Sequence, residues 1–298
     1  MDYRNIQTFL KVSELHSFSQ AARELGYSQS AVSTQISKLE QELGASLFDR
    51  IGHQITLTEK GHAFLQYAQQ VILLTEQMHQ TVSGDNEICG TLRIAMADSL
   101  CSAGISDILL TYQEHYPKVL IEIRTGVTKD LFNWLSHNEV DMVYTLDNRI
   151  TRPDLVVLQE EEESAYFYAA SGHPLTKQKQ ASWEDLKLYP LYMTESGISY
   201  RNNLDLYLGR LGIELMPTIE LGNTQVIRQL IERSNGIGFL PEFAVREALA
   251  CGRIGMVPLK PLAVSVWKQL IYHRGKFITP AMEEFISLFC LKQTVVPF

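Results

Sequence analysis

The chain lacks long apolar runs and has only four cysteines in 298 residues. No run of about eighteen apolar residues occurs, so we expect no membrane span. The cysteines form no C-x-x-C pair, which indicates neither a disulfide framework nor a metal site. They are Cys89, Cys101, Cys251 and Cys290. The N-terminal residues MDYRNIQTF show no basic stretch followed by apolar residues, and we therefore expect a cytoplasmic protein.

Catalytic and cofactor motifs are also missing from the sequence. It contains no G-x-S-x-G, no H-E-x-x-H and no phosphate-binding loop. Gly236 and Gly238 form a G-x-G pair, but the third glycine of a dinucleotide-binding motif is absent. We therefore predict no cofactor, no metal and no enzymatic activity.

An excess of positive charge is missing as well, because the net charge is −8. Residues 1–65 carry six basic and seven acidic side chains, so this part is less acidic than the rest but not basic. A DNA-binding role would then depend on a few well-placed cations, on helix N-termini and on several copies acting together.

Residues 17–57 have the pattern of two short helices, a tight turn and a β-hairpin. Ser19 is predicted to cap the first helix, and Gly26 to end it with a positive φ. Ser28 is predicted to cap the second helix, which ends at Leu43 before Gly44. This arrangement is typical of a helix-turn-helix followed by a wing.

The second helix of this motif has one apolar and one polar face. Its apolar stripe has helical spacing and consists of Val32, Ile36, Leu39 and Leu43. The polar face offers short donors and acceptors rather than the Lys and Glu of an ordinary solvated surface, which favours base reading in the major groove. The alternative is an amphipathic helix with a hydrated polar face. The candidate DNA contacts are Ser28, Gln29, Ser30, Ser33, Thr34, Lys38, Arg50 and His53.

The residues of this stretch resemble the winged helix-turn-helix of LysR-type transcriptional regulators. The matching positions are Phe9, Val12, Glu14, Ser17, Phe18, Ser19, Ala21, Ala22, Leu25, Ser28, Gln29, Ala31, Val32, Ser33, Gln35, Ile36, Leu39, Glu40, Leu43, Gly44, Leu47, Phe48 and Arg50. The wing of that family commonly has a second arginine three residues after the first, where this chain has His53. We therefore expect the wing to hold the minor groove less firmly.

A long helix is predicted to follow, capped by Thr58 and ending near Gly84, with a hinge at residues 83–86. Its apolar residues recur at alternating steps of three and four, which is the spacing of a coiled-coil seam. The proposed dimerisation residues are Phe64, Tyr67, Val71, Leu74 and Met78. The alternative is that this stripe docks onto its own chain.

From Gly90 onward, strand and helix patterns alternate, which predicts parallel sheets with right-handed crossovers. Predicted helices include residues 102–116, 200–211 and 241–250, Thr128 is predicted to cap a helix, and a strand is predicted at 166–169. The acidic run at 160–163 is predicted to be a solvated edge. The family resemblance continues at GTLRI (90–94), at Gly126, Thr128 and Leu131, and at GIGFLP (236–241).

The predicted architecture is α/β. It comprises an N-terminal winged helix-turn-helix (1–58), a linker helix and hinge (59–89) and a two-lobed, periplasmic-binding-protein-like effector domain (90–298). Lobe I is assigned to 90–162 and 266–298, and lobe II to 163–265. Ligands of open α/β sheets lie at the carboxyl ends of strands, which selects the candidate effector residues. They are Asp98, Ser99, Cys101, Ser102, Thr128, Glu195, Ser196, Tyr200, Arg201, Asn223 and Thr224.

These candidate effector residues have a second interpretation, in which the serines and threonines are only helix caps. Cys101 is more typical of a small buried side chain than of a redox switch. Arg201 favours a ligand carboxylate unless it pairs with a nearby acid, whereas Asp98 and Glu195 oppose a purely anionic ligand. A polar effector, a carboxylate or an amino acid, is therefore the predicted ligand.

The sequence predicts a ligand-responsive transcription factor that binds double-stranded operator DNA as a homodimer or homotetramer. The family resemblance implies that a small-molecule effector changes how the winged helix-turn-helix domains of paired copies bind DNA. It also implies that the effector changes the contact with RNA polymerase. Two alternatives are an enzyme with a DNA-binding appendage, for which no catalytic constellation is found, and a transport-type solute-binding protein, which the helix-turn-helix disfavours.

Overall fold

The computed structural model describes residues 1–51, 54–83, 87–102, 105–259 and 264–294. The chain forms two compact units. The first comprises Met1–Glu87 with Phe277–Thr279, and the second comprises Ile88–Lys276 with Pro280–Phe298. The predicted α/β architecture with an N-terminal winged helix-turn-helix is confirmed.

The first unit contains three short helices, a hairpin and a long helix. In chain order they are α1 (Tyr3–Leu15), α2 (Phe18–Leu25), α3 (Gln29–Leu43), β1 (Phe48–Ile51), β2 (Gln54–Leu57) and α4 (Glu59–Ser83). The hairpin is antiparallel and pairs Phe48 with Leu57. Thr58 begins α4 as predicted, because its hydroxyl accepts a hydrogen bond from the Gly61 N–H at 2.9 Å.

The cap of α2 differs from the prediction. Ser17, not Ser19, accepts the hydrogen bond from the Gln20 N–H, at 3.2 Å. A start at Ser17 brings Phe18 and Ala22 onto one buried face, since residues four apart lie together on a helix. Ser28 caps α3 as predicted, and Gly26 ends α2 at a φ of 70°.

The core of the first unit lies between α1, α3 and the hairpin. Val32, Ile36 and Leu39 are fully buried as predicted, but Leu43 is 40% exposed because the last turn of α3 extends past the core. The ring of Phe9 packs between those of Phe48, at 5.2 Å between centroids, and Phe64, at 4.9 Å.

The second unit is built on a continuous mixed sheet covered by helices. Its strands are β3 (Gly90–Met96), β4 (Val119–Thr125), β5 (Met142–Asp147), β6 (Leu155–Ala170), β7 (Leu191–Met193), β8 (Ile219–Glu220), β9 (Ile237–Pro241), β10 (Ile254–Met256) and β11 (Ser265–His273). Its helices are α5 (Asp98–Ser102), α6 (Ser106–His115), α7 (Thr128–Ser136), α8 (Trp183–Leu186), α9 (Ser199–Leu211), α10 (Thr224–Arg233), α11 (Arg246–Ala250) and α12 (Pro280–Thr294).

The strand order of this sheet is β4-β3-β5-β11-β6-β9-β7-β8, with β10 also paired to β6. β3 pairs in parallel with β4 and β5, and β7 pairs in parallel with β8 and β9. The long strands β6 and β11 are antiparallel to each other and join these two parallel groups. Two lobes crossed twice by the chain were predicted, and this pairing matches that topology.

Several predicted elements need correction. The predicted helix at 102–116 is α6, which begins later, at Ser106, after the separate short helix α5, and the predicted helix at 241–250 is a 3₁₀ turn, Glu242–Ala244, followed by α11. The strand predicted at 166–169 is the end of the much longer β6, whose polar middle, residues 159–164, hid its full length from an apolar-run criterion. Thr128 is the first residue of α7 rather than its cap, which is Val127.

The acidic run on β6 is not wholly solvated, contrary to the prediction. Glu163 is buried, and its carboxylate lies 3.1 Å from the ammonium of Lys268 on β11. Lys268 also pairs with Glu161 at 2.9 Å. The mutual attraction of these charges offsets part of the cost of removing them from water.

Candidate functional site

One side of α3, from its first turn to Lys38, presents a polar surface. Gln29, Ser30, Thr34 and Lys38 are exposed there, and within the described residues the Gln29 side chain has no hydrogen-bond partner. The Thr34 hydroxyl donates to the Ser30 carbonyl at 2.8 Å, so only its acceptor capacity remains for DNA.

Ser28 and Ser33 differ from these four residues: Ser28 is exposed but its hydroxyl is already engaged, and Ser33 is not fully exposed. The Ser28 hydroxyl caps α3 through the Ala31 N–H at 3.2 Å and lies 2.9 Å from the Ser30 hydroxyl. Ser33 is half-buried. Ser28 therefore has a structural role whether or not it also meets a phosphate.

Two side chains that the sequence interpretation left without a role fix the orientation of α3. The Thr8 hydroxyl on α1 donates to the Gln35 amide oxygen at 2.6 Å. The Glu40 carboxylate accepts from the Leu47 N–H at 2.7 Å and the Phe48 N–H at 3.3 Å, which ties α3 to the start of the wing. A glutamate among helix surface residues carries no sequence signal for such a distant backbone contact.

The wing can be described only in part. Arg50 lies on β1 in register with Ile55 on β2. His53, predicted to reach DNA, lies outside the described residues. Both remain predicted DNA contacts.

The long helix α4 has two apolar faces. Leu65 and Ala68 are buried in the core of the first unit, which we call the head, and Phe64 and Ile72 pack against that core. Tyr67, Val71, Leu74 and Met78 are exposed large hydrophobic residues on the other side. Phe64 was predicted in the dimer seam, but its ring packs edge-on against Phe9, so it belongs to the core of its own head.

The second unit contains a cavity of about 310 Å³ at the carboxyl ends of the parallel strands. The predicted effector residues that line it are Asp98, Ser99, Thr128, Glu195, Tyr200, Asn223 and Thr224. The predicted residues outside its lining are Cys101, Ser102, Ser196 and Arg201. The position of the cavity could thus be predicted from the sequence. Which individual side chains face it depends on the direction in which each residue points from its helix.

The lining residue Leu146 lies outside the strand-helix junctions selected from the sequence, which include Val127 and Ile198. Leu146 is the next-to-last residue of β5, and its carbonyl accepts a hydrogen bond from the Ser199 hydroxyl on α9 at 2.5 Å. Val127 and Ile198 add apolar surface beside them. The rule about carboxyl ends of parallel strands, applied to β5 as well as to its neighbours, could have found Leu146.

The polar groups of the cavity differ in how they are satisfied. Asn223 caps α10 by accepting from the Gln225 and Val226 N–H groups at 3.0 and 3.1 Å. The Asp98 Oδ2 and Thr224 Oγ1 atoms are buried and have no hydrogen-bond partner among the described residues. Burial raises the pKa of the Tyr200 hydroxyl, and the negative charge of Asp98 raises it further, so this hydroxyl stays protonated.

Arg201 turns away from the cavity, which corrects its predicted role. Its side chain is buried, and its Nε lies 2.9 Å from the Asp205 carboxylate one turn along α9. Its Nη1 donates to the Thr194 carbonyl at 3.0 Å and lies 3.9 Å from the Glu220 carboxylate. This arrangement corresponds to the alternative in which a neighbouring acidic side chain pairs with Arg201.

The other residues outside the lining have local roles. The Ser102 hydroxyl donates to the Asp98 carbonyl at 2.9 Å, and the exposed Ser196 donates its backbone N–H to Glu220 at 3.2 Å. Burial, together with Asp98, raises the pKa of the half-buried Cys101 thiol. A raised pKa reduces the thiolate fraction, which disfavours redox reactivity.

Neither a metal site nor a membrane-spanning helix is found among the described residues. They contain no group of three or more His, Cys, Asp and Glu side chains arranged to hold a metal ion. No helix among them is both long enough and apolar enough to cross a membrane.

Comparisons with known proteins agree with this arrangement. The family model described as "LysR substrate binding domain" matches residues 85–290. The model described as "Bacterial regulatory helix-turn-helix protein, lysR family" matches residues 3–62. YwqM of Bacillus subtilis (strain 168), named as an HTH-type transcriptional regulator, is 30% identical over 97% of this chain and 98% of its own.

Solved structures of similar proteins share the fold. Full-length OxyR from Pseudomonas aeruginosa superposes with a TM-score of 0.71 at 20% identity, covering 98% of this chain and 95% of its own. Full-length CbnR complexed with its target DNA gives a TM-score of 0.55 at 19% identity, covering 97% of this chain and 98% of its own.

Proposed function

The chain belongs to the LysR family of transcriptional regulators, and from this we propose that α3 reads operator DNA while the cavity of the second unit receives a small polar effector. The observation that carries the DNA-reading role is the exposed Gln29 side chain, which has no partner among the described residues at the first turn of α3. A free amide can pair with the edge of adenine in the major groove. The solved structure of CbnR, a protein with this fold, is a complex with its target DNA, which supports the proposal.

We also propose how effector and DNA are coupled. The effector, a carboxylate or an amino acid in the sequence prediction, binds one closure of the lobes better than another and shifts their population. Paired heads then sit differently on DNA and change the contact with RNA polymerase. The chain regulates transcription and does not catalyse a reaction.

The head has no excess of basic over acidic residues. Several copies acting together would therefore strengthen its binding to DNA. We propose that Tyr67, Val71, Leu74 and Met78 join two copies along α4 and so place two α3 helices on one DNA molecule. Each head then raises the effective concentration of the other at its half-site.

The test of base reading is Gln29→Ala, on an operator selected from random DNA by the full-length protein. Loss of a bidentate contact should weaken specific binding by about 1–3 kcal/mol and leave random DNA nearly unaffected. Gln41→Ala, an exposed glutamine in the last turn of α3, is the matched control and should keep both affinities. Equal losses on operator and random DNA, at one fixed salt concentration, would show that Gln29 does not read a base.

A further inference from the structure

In the described part of the chain, the charged side chains that line the cavity are all acidic. Its lining includes two carboxylates, Asp98 and Glu195, and no lysine, arginine or histidine among the described residues. Asp98 is half-buried, and Glu195 is exposed at the rim. A ligand entering this cavity therefore meets negative charge first at the rim and again further in.

Asp98 is the less satisfied of the two carboxylates. Its Oδ2 atom is buried and accepts no hydrogen bond from any described residue. A buried acceptor without a donor carries a desolvation penalty, and the penalty is larger for a charged group. A donor supplied by a ligand would remove that penalty.

The nearby arginine cannot supply this donor in the observed arrangement. The guanidinium of Arg201 is engaged by Asp205 and by the Thr194 carbonyl, with Glu220 at 3.9 Å. Arg201 therefore already faces two carboxylates outside the cavity lining. The missing positive charge at Asp98 has to come from the ligand or from solvent.

Helix N-termini at the cavity oppose this charge but do not outweigh it. α7 and α9 both begin without a side-chain cap, so their first-turn N–H groups can attract an anion. Each helix terminus is equivalent to roughly half a positive charge. Together with the N-terminus of α10, whose first-turn N–H groups are already capped by Asn223, three termini offset about one and a half of the two carboxylate charges and leave the cavity net negative.

We propose that the effector carries an ammonium group that donates to the Asp98 carboxylate, with the Thr224 hydroxyl accepting or donating a further hydrogen bond. This inference rests on the proposed role of the cavity as the effector site. The buried Thr224 Oγ1 has no partner among the described residues, so it is available for that bond. A ligand carboxylate fits only alongside the ammonium, at the uncapped starts of α7 and α9, so amines and amino acids qualify and simple carboxylates do not.

The test compares three five-carbon probes, pentylamine, pentanoate and norvaline, on the full-length protein. Thermal unfolding followed over a titration of each probe gives an apparent affinity, since a ligand that binds only the folded state raises the midpoint. Pentylamine and norvaline should raise the midpoint, and pentanoate should not. Binding of norvaline as tight as that of pentylamine, or tighter, would identify an amino-acid ligand, whereas binding of pentylamine alone would identify an amine.

Two variants locate the ammonium. Asp98→Asn should weaken the apparent affinity for pentylamine about tenfold or more, because a charge-assisted hydrogen bond is lost. Glu195→Gln, at the exposed rim, should weaken it less. Glu214→Gln, an exposed glutamate outside the cavity lining, is the matched control and should leave it unchanged.

The possible failures are distinguishable. If pentanoate alone stabilises the protein, the ammonium assignment is wrong while the cavity remains the effector site. If none of the three probes shifts the midpoint, the assignment of the ammonium and that of the cavity both fail. If neither Asp98→Asn nor Glu195→Gln weakens the binding of pentylamine, the amine binds outside this cavity and the inference is rejected.

Discussion

His173 illustrates how burial at a single residue makes stability depend on pH. The Leu175 N–H donates to its Nδ1 at 3.1 Å, so that nitrogen is unprotonated and the proton lies on Nε2, 3.2 Å from the Asn235 carbonyl. The ring is buried and packs edge-on against Tyr189 at 4.3 Å between centroids. The fold therefore holds this imidazole neutral, and burial lowers its pKa below the usual 6.5.

This lowered pKa gives a directional prediction. Below the unfolded-state pKa of 6.5 the unfolded chain binds a proton at His173 that the folded chain resists, so the free energy of unfolding falls as pH drops. The contribution is complete above that pKa and is lost as pH falls through the folded pKa. Denaturant titrations from pH 5 to pH 8 should show a shallower pH dependence for His173→Gln than for the parent. His115→Gln, at an exposed site, is the control and should retain the steeper slope.

Arg201 gives a second prediction at the residue scale. Arg201→Ala removes a guanidinium that is only 6% exposed and leaves the Thr194 carbonyl without its donor. We expect a loss of about 2–3 kcal/mol in the free energy of unfolding, measured by denaturant titration. Arg210→Ala, at an exposed position on the same helix, should change it by less than about 0.5 kcal/mol. Equal effects of the two substitutions would contradict a structural role for Arg201.

The two interpretations of Arg201 mark the limit of prediction from sequence at this scale. The spacing correctly put Arg201 in the first turn of α9, beside a cavity that its topology also predicted. Which way the side chain turns depends on Asp205, four residues along the same helix, and on a carbonyl from another segment. An i, i+4 pair is visible in sequence, but its competition with a ligand depends on tertiary packing.

At the element scale, the start of α2 shows why helix boundaries were predicted less well than helices. Ser17 and Ser19 are equally good caps by residue type, so local sequence could not choose between them. The choice follows from the core, because a start at Ser17 buries Phe18 against Phe48, at 5.8 Å between ring centroids. The same limit applies to α6, which was predicted to begin at Ser102 and begins at Ser106.

These two serines allow a matched comparison. Ser17→Ala should lower the free energy of unfolding by about 1 kcal/mol, because the Gln20 N–H loses its acceptor. Ser19→Ala lies on the exposed side within the helix, where alanine is a good helix former, and should be neutral or slightly stabilising. Denaturant titration of the full-length protein distinguishes the two variants. A larger loss in the free energy of unfolding for Ser19→Ala than for Ser17→Ala would show that Ser19 is the cap.

At the scale of the whole molecule, α4 has one face buried in its own head and another that we propose contacts a second copy. Its inner face, around Leu65 and Ala68, completes the head core. Its outer face leaves Tyr67 and Met78 exposed in the single chain. In the sequence, the residues of both faces form one broad apolar stripe. Periodicity alone could not assign Phe64 to the inner face, because that assignment depends on the position of Phe9 in the folded head.

The last prediction tests the outer face of α4 as the proposed seam between two copies. Val71→Asp would bury a carboxylate at a self-facing interface, which costs on the order of several kcal/mol when the charge finds no partner. Sedimentation should then show monomers, and operator affinity should fall about a hundredfold or more because the two heads are no longer linked. Gln69→Asp adds the same charge about 160° around the helix from Val71 and should leave assembly intact. The head core should remain folded in both variants, since Val71 lies outside it. A Val71→Asp protein that still sediments as a dimer would exclude this face as the main contact between copies and would place that contact in the second unit.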